Sequence, residues 1–341
     1  MPPNFKHNRN KLEILKAQNG NSLNQLLPSD EIFRLEQKVS KNEIPLWDLW
    51  AEYSEEMEIL KRSKVSIKSV KESLQGIIRH GEILTLEQST TKNIKKYLRE
   101  SLEERNWKPE TYNTKISKLG SFFKFLVEEG ILDKNPIVNL RKMRKQKENQ
   151  YTLSAEEFNQ LIGYIVMQKK GLIMLRDKVF FMIMGLIGCR RSEALQIELS
   201  DIDLKKRTLL LHGVKGAKSR MIGLDIRLCS AIEEYLRYRE KLKRVEPCLF
   251  ISSSERGKSW TASGVRKSME RLSSAVGFKI TCHAFRRFSA TTLAEQNIPL
   301  EKIMQLLGHT SMRTTLTYIN TCSPKLLDLC TNALSKVLTT A

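Results

Sequence analysis

From Pro45 to Glu129 apolar residues recur three and four positions apart in four stretches, the spacing that lays one stripe along one face of a helix. The pattern predicts helices over about 45–60, 64–79, 88–104 and 109–129. The last carries Tyr112, Ile116, Leu119, Phe122, Phe123, Phe125 and Leu126 and stops at Gly130, a natural helix end. Four such helices can bury their stripes on one another, so residues 43–132 read as a compact all-helical domain. Residues 1–42 mix Asn, Lys, Gln and Ser with weak periodicity and read as a tail or one loose helix, with Ser29 as its N-cap.

The pattern breaks at Asp133-Lys134-Asn135-Pro136, where the proline holds the residue before it in extended geometry. A polar, basic stretch follows to residue 150, so 133–150 reads as a linker. A second domain opens at Leu153, where Ser154 and Glu157 form a capping box, and helical spacing continues through Gly188. Then the period changes. Arg207–His212 and Arg220–Leu224 read as strands joined by a turn over Gly213–Ser219, and Cys248–Ser252 is a third candidate strand. Helical spacing returns at about 225–242, 261–276, 283–296, 299–307 and 311–320. A last amphipathic segment, Pro324 to Leu338, carries Leu326, Leu327, Leu329, Leu334, Val337 and Leu338. The expected fold is multidomain: an all-α N-terminal domain plus a mixed, mainly α second domain with a small antiparallel β-sheet.

Composition narrows the function. Of 341 residues, 40% are hydrophobic and 28% charged, enough apolar surface for two cores. The longest uncharged apolar run, Val179 to Cys189, falls far short of the ~20 residues that cross a bilayer, and the N-terminus lacks a signal-peptide stretch. A membrane role is not expected. The net charge is +20, the mark of a protein that meets a polyanion, with nucleic acid the default partner. Residues 1–150 contribute +7 and 151–341 contribute +13. Five of the seven residues from Arg141 to Lys147 are basic (Arg141, Lys142, Arg144, Lys145, Lys147); they serve equally as a solvated linker and as a run that crosses a phosphate backbone. The six cysteines form no CxxC pair and read as reduced thiols of a cytosolic protein. Cys282, His283, His309 and Cys322 match no common metal-ligand spacing, so no metal is expected.

Chemistry on a phosphodiester calls for guanidinium forks. In Gly188-Cys189-Arg190-Arg191-Ser192-Glu193, Arg190 opens a helix with the Glu193 carboxylate three residues on, spaced to hold the guanidinium from behind. In His283-Ala284-Phe285-Arg286 the i,i+3 spacing puts imidazole and guanidinium on one helix face. In Leu306-Leu307-Gly308-His309-Thr310-Ser311 a helix ends at Gly308, His309 follows, and the next helix carries Tyr318. Lys215 sits in the glycine-bearing turn Val214-Lys215-Gly216-Ala217-Lys218-Ser219-Arg220, where it can enter a groove or deliver a proton. Each has a plainer use: Tyr318 as a core aromatic, His309 as a cap, the turn as an exposed connection.

The ordered set Arg190, Lys215, His283, Arg286, His309, Tyr318 closely resembles the tyrosine recombinases, the phage-integrase family of site-specific DNA recombinases. GCRRSEALQIELSDIDL looks like the family's first box, and HAFRRFSATTLAEQNIPLEKIMQLLGHTSMRTTLTYIN like its second. The helix Tyr112–Gly130 followed by Asn135-Pro136 is similar to the end of the family's core-binding domain. The likeness is strong over 151–321, weaker over 45–140 and absent over 1–42. Arg191, Arg287 and Asn320 depart from the family's usual apolar residue, histidine and histidine, and none of them removes a catalytic group.

The resemblance implies a catalytic domain over 151–321 and a core-binding domain that together clamp duplex DNA at a specific recombination site, with 322–341 docking on its own domain or on a neighbouring subunit. It implies that Tyr318 attacks the scissile phosphate to give a 3′-phosphotyrosyl link, that Arg190 and Arg286 grip the non-bridging oxygens, and that Lys215 protonates the departing 5′-oxygen. His283 and His309 assist proton movement, and Glu193 supports Arg190. No cofactor is implied, because the covalent link conserves the bond energy. The partners implied are duplex DNA, a homo-tetramer or a hetero-oligomer with a related recombinase, and an accessory DNA-bending protein, in the cytoplasm on the nucleoid. Competing readings are a type IB topoisomerase-like DNA relaxation and a non-catalytic DNA-binding regulator on the same fold. A metal-dependent nuclease rests only on Asp201-Ile202-Asp203, which reads better as the end of a helix before the hairpin.

Overall fold

The computed structural model describes residues 43–144, 151–214, 218–243, 246–253 and 258–308, with Leu26, Pro28 and Glu31 before them. The chain divides into two compact units, Met1–Glu148 and Asn149–Ala341.

The described part of the first unit is helical: α1 (Leu46–Ile59), α2 (Lys64–Gly81), α3 (Thr91–Glu104) and α4 (Pro109–Glu128). Local chemistry starts each helix. Ser63 and Thr90 accept from the backbone N–H groups of Ser66 and Asn93, and Pro109 occupies the first turn of α4, where its missing donor costs nothing. The apolar stripes meet in one core in which the Tyr53 ring packs edge-on against Phe122 and Phe125. Past α4 the chain stays on this unit. Ile137 joins the core at 4% exposure, and the Asn113 side chain exchanges two hydrogen bonds with the Met143 backbone, at 2.9 and 2.8 Å. That pair pins an extended segment on which Arg141, Lys142 and Arg144 stay exposed.

In the second unit α5 (Ala155–Met167) begins with the expected Ser154–Glu157 capping box. The central α6 (Leu172–Ile187) is buried along nearly its whole length. Around it lie α7 (Arg191–Leu195), α8 (Ile226–Lys241), α9 (Ala262–Val276), α10 (Cys282–Glu295) and α11 (Leu300–Leu307). Phe180 of α6 meets Phe181, Phe250 and Trp260 edge-on in the core. Asp177, fully buried, accepts from Arg176, Ser268 and Arg271, and Arg176 also stacks 3.9 Å over the Trp260 ring. A buried carboxylate is tolerated because several donors replace its water.

The sheet is three-stranded and antiparallel, in the order β1 (Ile202–Asp203), β2 (Thr208–Leu211), β3 (Arg220–Gly223). Leu209 pairs with both Ile202 and Ile222, and Leu211 pairs with Arg220. The expected fold class is observed, with two local differences. Asp201 ends a 3-10 turn over Leu199–Asp201, but Ile202 and Asp203 form an edge strand instead of a helix end. Cys248–Ser252 is not a strand of this sheet: Cys248 and Ile251 make isolated bridges to Glu198 and Ser259. The segments expected over 311–320 and 324–338, and the helix start at Ser29, lie outside the described residues.

Candidate active site

The second unit brings three arginines to the end of α11. Gly188 closes α6 in the left-handed region (φ 67°), turning the chain so that Arg190 becomes the N-cap of α7. Glu193, one turn on, accepts from the Arg190 backbone N–H at 2.8 Å and from Arg190 Nη1 at 3.0 Å. Its carboxylate therefore stands behind the guanidinium, where the i,i+3 spacing puts it. Arg190 Nη1 and Nη2 also reach the Gly308 carbonyl at 3.3 Å. Arg286, three residues after His283 on α10 and 3% exposed, donates to the Gly188 carbonyl at 3.0 Å and the Leu307 carbonyl at 2.6 Å. Ser289, one turn further along α10, donates to the Gly185 carbonyl at 2.6 Å.

Gly308 is also left-handed (φ 65°). Helix ends leave carbonyls without intrahelical partners, and here three in succession are taken by arginines. Arg220 Nε donates to Leu306 O at 2.6 Å, Arg286 to Leu307 O and Arg190 to Gly308 O. The Arg220 fork closes on Glu193 at 3.0 and 3.4 Å.

Electrostatics follow from this crowding. Burial pushes the Glu193 carboxyl up, but the hydrogen bond from Arg220, the Arg190 backbone N–H, the Arg220 charge and the hydrogen bond from the Arg190 guanidinium outweigh it and hold the group below the usual carboxylate range. Cys189, fully buried beside that carboxylate, is pushed up to about 12 by desolvation and by the Glu193 charge, so its thiol stays neutral. Partial desolvation and the charges of Arg287, Arg286, Arg191 and Arg190 lower the pKa of His283 below the ordinary 6.5. It is therefore a neutral imidazole at pH 7, able to accept a proton.

Arg190, Glu193, His283 and Arg286 thus share one neighbourhood. Lys215, His309 and Tyr318 lie outside the described residues, as do Lys145 and Lys147. The described flank of the Lys215 turn closes with the Gly213 N–H on Ser219 Oγ at 3.3 Å. Sequence reasoning gave Arg220 no role, although the signal was there: strand alternation puts it on the same face as buried Ile222. Arg287 turns to the Tyr151 carbonyl at 2.9 Å. Among the described residues no cluster of three or more His, Cys, Asp or Glu could hold a metal ion, and no helix is long and apolar enough to cross a membrane.

The phage integrase family matches residues 151–323, and the N-terminal SAM-like domain of phage integrases matches residues 51–130. The chain belongs to the phage integrase family. This integrase-family protein is a tyrosine-type site-specific recombinase, an enzyme of DNA strand breakage and rejoining. It is similar to tyrosine recombinase XerC of Anoxybacillus flavithermus, 29% identical over 244 residues, covering 70% of this chain and 79% of the relative. XerC of Bacillus subtilis is 28% identical over 261 residues, covering 72% and 82%. In fold the recombinase is similar to a lambda integrase dimer bound to a COC′ core site (TM-score 0.64, 18% identity, 90% of this chain and 85% of that one). It is also similar to the Tn1549 transposon integrase in complex with a circular intermediate DNA (TM-score 0.66, 17% identity, 85% and 99%).

Proposed function

We propose that this recombinase cuts each strand of a specific duplex site with Tyr318. The tyrosine oxygen bonds to the scissile phosphorus, the bond from phosphorus to the 5′-oxygen breaks, and the products are a 3′-phosphotyrosyl link and a 5′-hydroxyl. Arg190 and Arg286 stabilise the charge that builds on the non-bridging oxygens, the kind of preorganised donation worth roughly 3–4 kcal/mol per group in other enzymes. Lys215 gives a proton to the leaving 5′-oxygen. His283, neutral at pH 7, accepts the tyrosine proton or donates a hydrogen bond to the phosphate, together with His309. The observation that carries this reading is the hanging of Arg190 and Arg286 from successive carbonyls of one turn, Gly308 and Leu307, immediately before His309.

In this reading residues 151–321 are the catalytic domain and 43–132 the core-binding domain. The basic run Arg141, Lys142, Arg144, Lys145 and Lys147 within 133–150 follows the phosphate backbone, and 322–341 docks on a neighbouring subunit. The lambda integrase bound to a COC′ core site and the Tn1549 integrase in complex with a circular intermediate DNA support duplex DNA as the partner. Strand exchange on a synaptic tetramer, an accessory DNA-bending protein and a place on the cytoplasmic nucleoid complete the proposal. The decisive experiment replaces Tyr318 by Phe. Covalent protein–DNA adducts disappear while duplex binding persists; adducts that still form refute the assignment of the nucleophile.

A further inference from the structure

We propose that Arg220 is a positioning residue for cleavage: it holds the buried Glu193 carboxylate ionised and aimed, so that Glu193 keeps the Arg190 guanidinium set for the scissile phosphate. The proposal rests on the reading of Arg190 as a phosphate-gripping group.

The Glu193 side chain is wholly buried and depends on donors for its charge. Among the described residues four contacts reach it. Oε2 takes the Arg190 backbone N–H at 2.8 Å and Arg220 Nη2 at 3.0 Å, while Oε1 takes Arg190 Nη1 at 3.0 Å and Arg220 Nη1 at 3.4 Å. Half of the donors, and one of the two cations, come from Arg220. Arg190 cannot serve the carboxylate alone, because its fork must also turn to the phosphate; the second cation frees it to do so.

Arg220 itself is not placed to touch DNA. Its side chain is 11% exposed against 35% for Arg190, and its Nε, Nη1 and Nη2 all point at Leu306 O or Glu193. Gly308 has no side chain where the guanidinium passes: a Cβ there would stand 2.8 Å from Arg220 Nη1. As the first residue of β3, Arg220 also fixes the strand that leaves the Lys215 turn against the helix end that leads to His309. One guanidinium thus ties together the three segments from which Lys215, Arg190 and His309 come.

The test is single-turnover cleavage at saturating protein, on a duplex nicked so that adducts accumulate, from pH 5 to 8, with DNA affinity measured alongside. Residues that hold the ligands of a metal centre in place are worth 10- to 100-fold, and a loss of the same order is expected for a residue that holds Glu193 behind Arg190. Arg220→Met is expected to cleave about 10–100-fold more slowly at pH 7 with DNA affinity within about 3-fold, and its rate relative to wild type falls further as pH drops, because the carboxyl has lost its largest source of pKa depression. The groups facing that carboxylate are Arg190, Arg220 and the neutral Cys189 thiol, with Arg286 also beside Cys189. Of the charged groups on α6 and α9, Arg176 and Arg271 pair with Asp177, Lys178 with Glu234 and Arg266 with Glu270. In a Glu193→Gln background the same substitution costs less than about 3-fold. Arg220→Lys keeps the charge but cannot span both oxygens and the carbonyl, so it gives an intermediate loss with the same tilt toward acid. Equal losses in the wild-type and Glu193→Gln backgrounds, a wild-type rate for Arg220→Lys at every pH, or a fall in DNA affinity as large as the fall in rate would each overturn the proposal. Arg190→Gln run in parallel separates the two readings: full activity there sinks the role of Arg190, whereas loss there with full activity in Arg220→Met sinks only the role of Arg220.

Discussion

Replacing Gly188 by Ala tests how the active-site neighbourhood is held together. The φ of 67° lies where a side chain costs roughly 1–2 kcal/mol. Space is the second cost. A Cβ at 188 would come 2.7 Å from Leu307 Cδ2 and 2.7 Å from both Cβ and Oγ of Ser289, and Ser289 cannot step back without losing its bond to Gly185 O. Overpacking of this kind costs roughly 1–3 kcal/mol, so the substitution should destabilise the second unit by about 2–5 kcal/mol. For a unit of this size each kcal/mol moves the melting temperature by roughly 2–4 °C, giving a fall of about 4–20 °C in calorimetry. Gly277→Ala supplies the control in the same unit. Its φ of 82° carries the same backbone cost, but a Cβ there meets nothing within 4 Å, so the expected fall is only about 2–8 °C. The reasoning fails if Gly188→Ala melts no lower than Gly277→Ala. Because Gly188 O also accepts from Arg286, the cleavage rate of the folded Gly188→Ala protein should fall, while Gly277→Ala should leave it unchanged.

Two further outcomes are expected. The His283 imidazole should titrate below 6.5 by NMR; since the unfolded chain then binds the proton more readily than the native one, stability should decline as pH falls below about 6.5 and not above it, and a His283→Asn protein should lose that dependence. Replacing Arg141, Lys142, Arg144, Lys145 and Lys147 by Gln should reduce the steepness of log affinity against log salt by up to about 4–5, at roughly 0.9 per phosphate contact, with little effect on cleavage at saturating protein; an unchanged slope would remove this run from the DNA interface.

The helices were legible in the sequence through their apolar stripes, and the start of α5 through its Ser154–Glu157 capping box as well; Ser63 and Thr90 cap α2 and α3 with the same chemistry, while α1 and α4 begin without a side-chain cap. The edge strand Ile202–Asp203 was not, since two residues cannot show alternation and its pairing with Thr208–Leu209 is set by tertiary contact. In the candidate site, the Arg190–Glu193 and His283–Arg286 relations were visible because both live within one helical turn. The Arg220–Glu193 pair spans 27 residues, and the bonds of Arg220, Arg286 and Arg190 end on main-chain carbonyls. Every residue offers such an acceptor, so no pattern of residue types announces them.

Anyone altering this enzyme can use that indifference to side chains. Because the guanidiniums at 190, 220 and 286 recognise the path of the backbone through 306–308, Leu306 can change identity without disturbing the contacts. What the segment cannot do is change shape. An insertion that lengthens α11 by one residue would carry all three oxygens away together, disarming the centre while every catalytic side chain was still present.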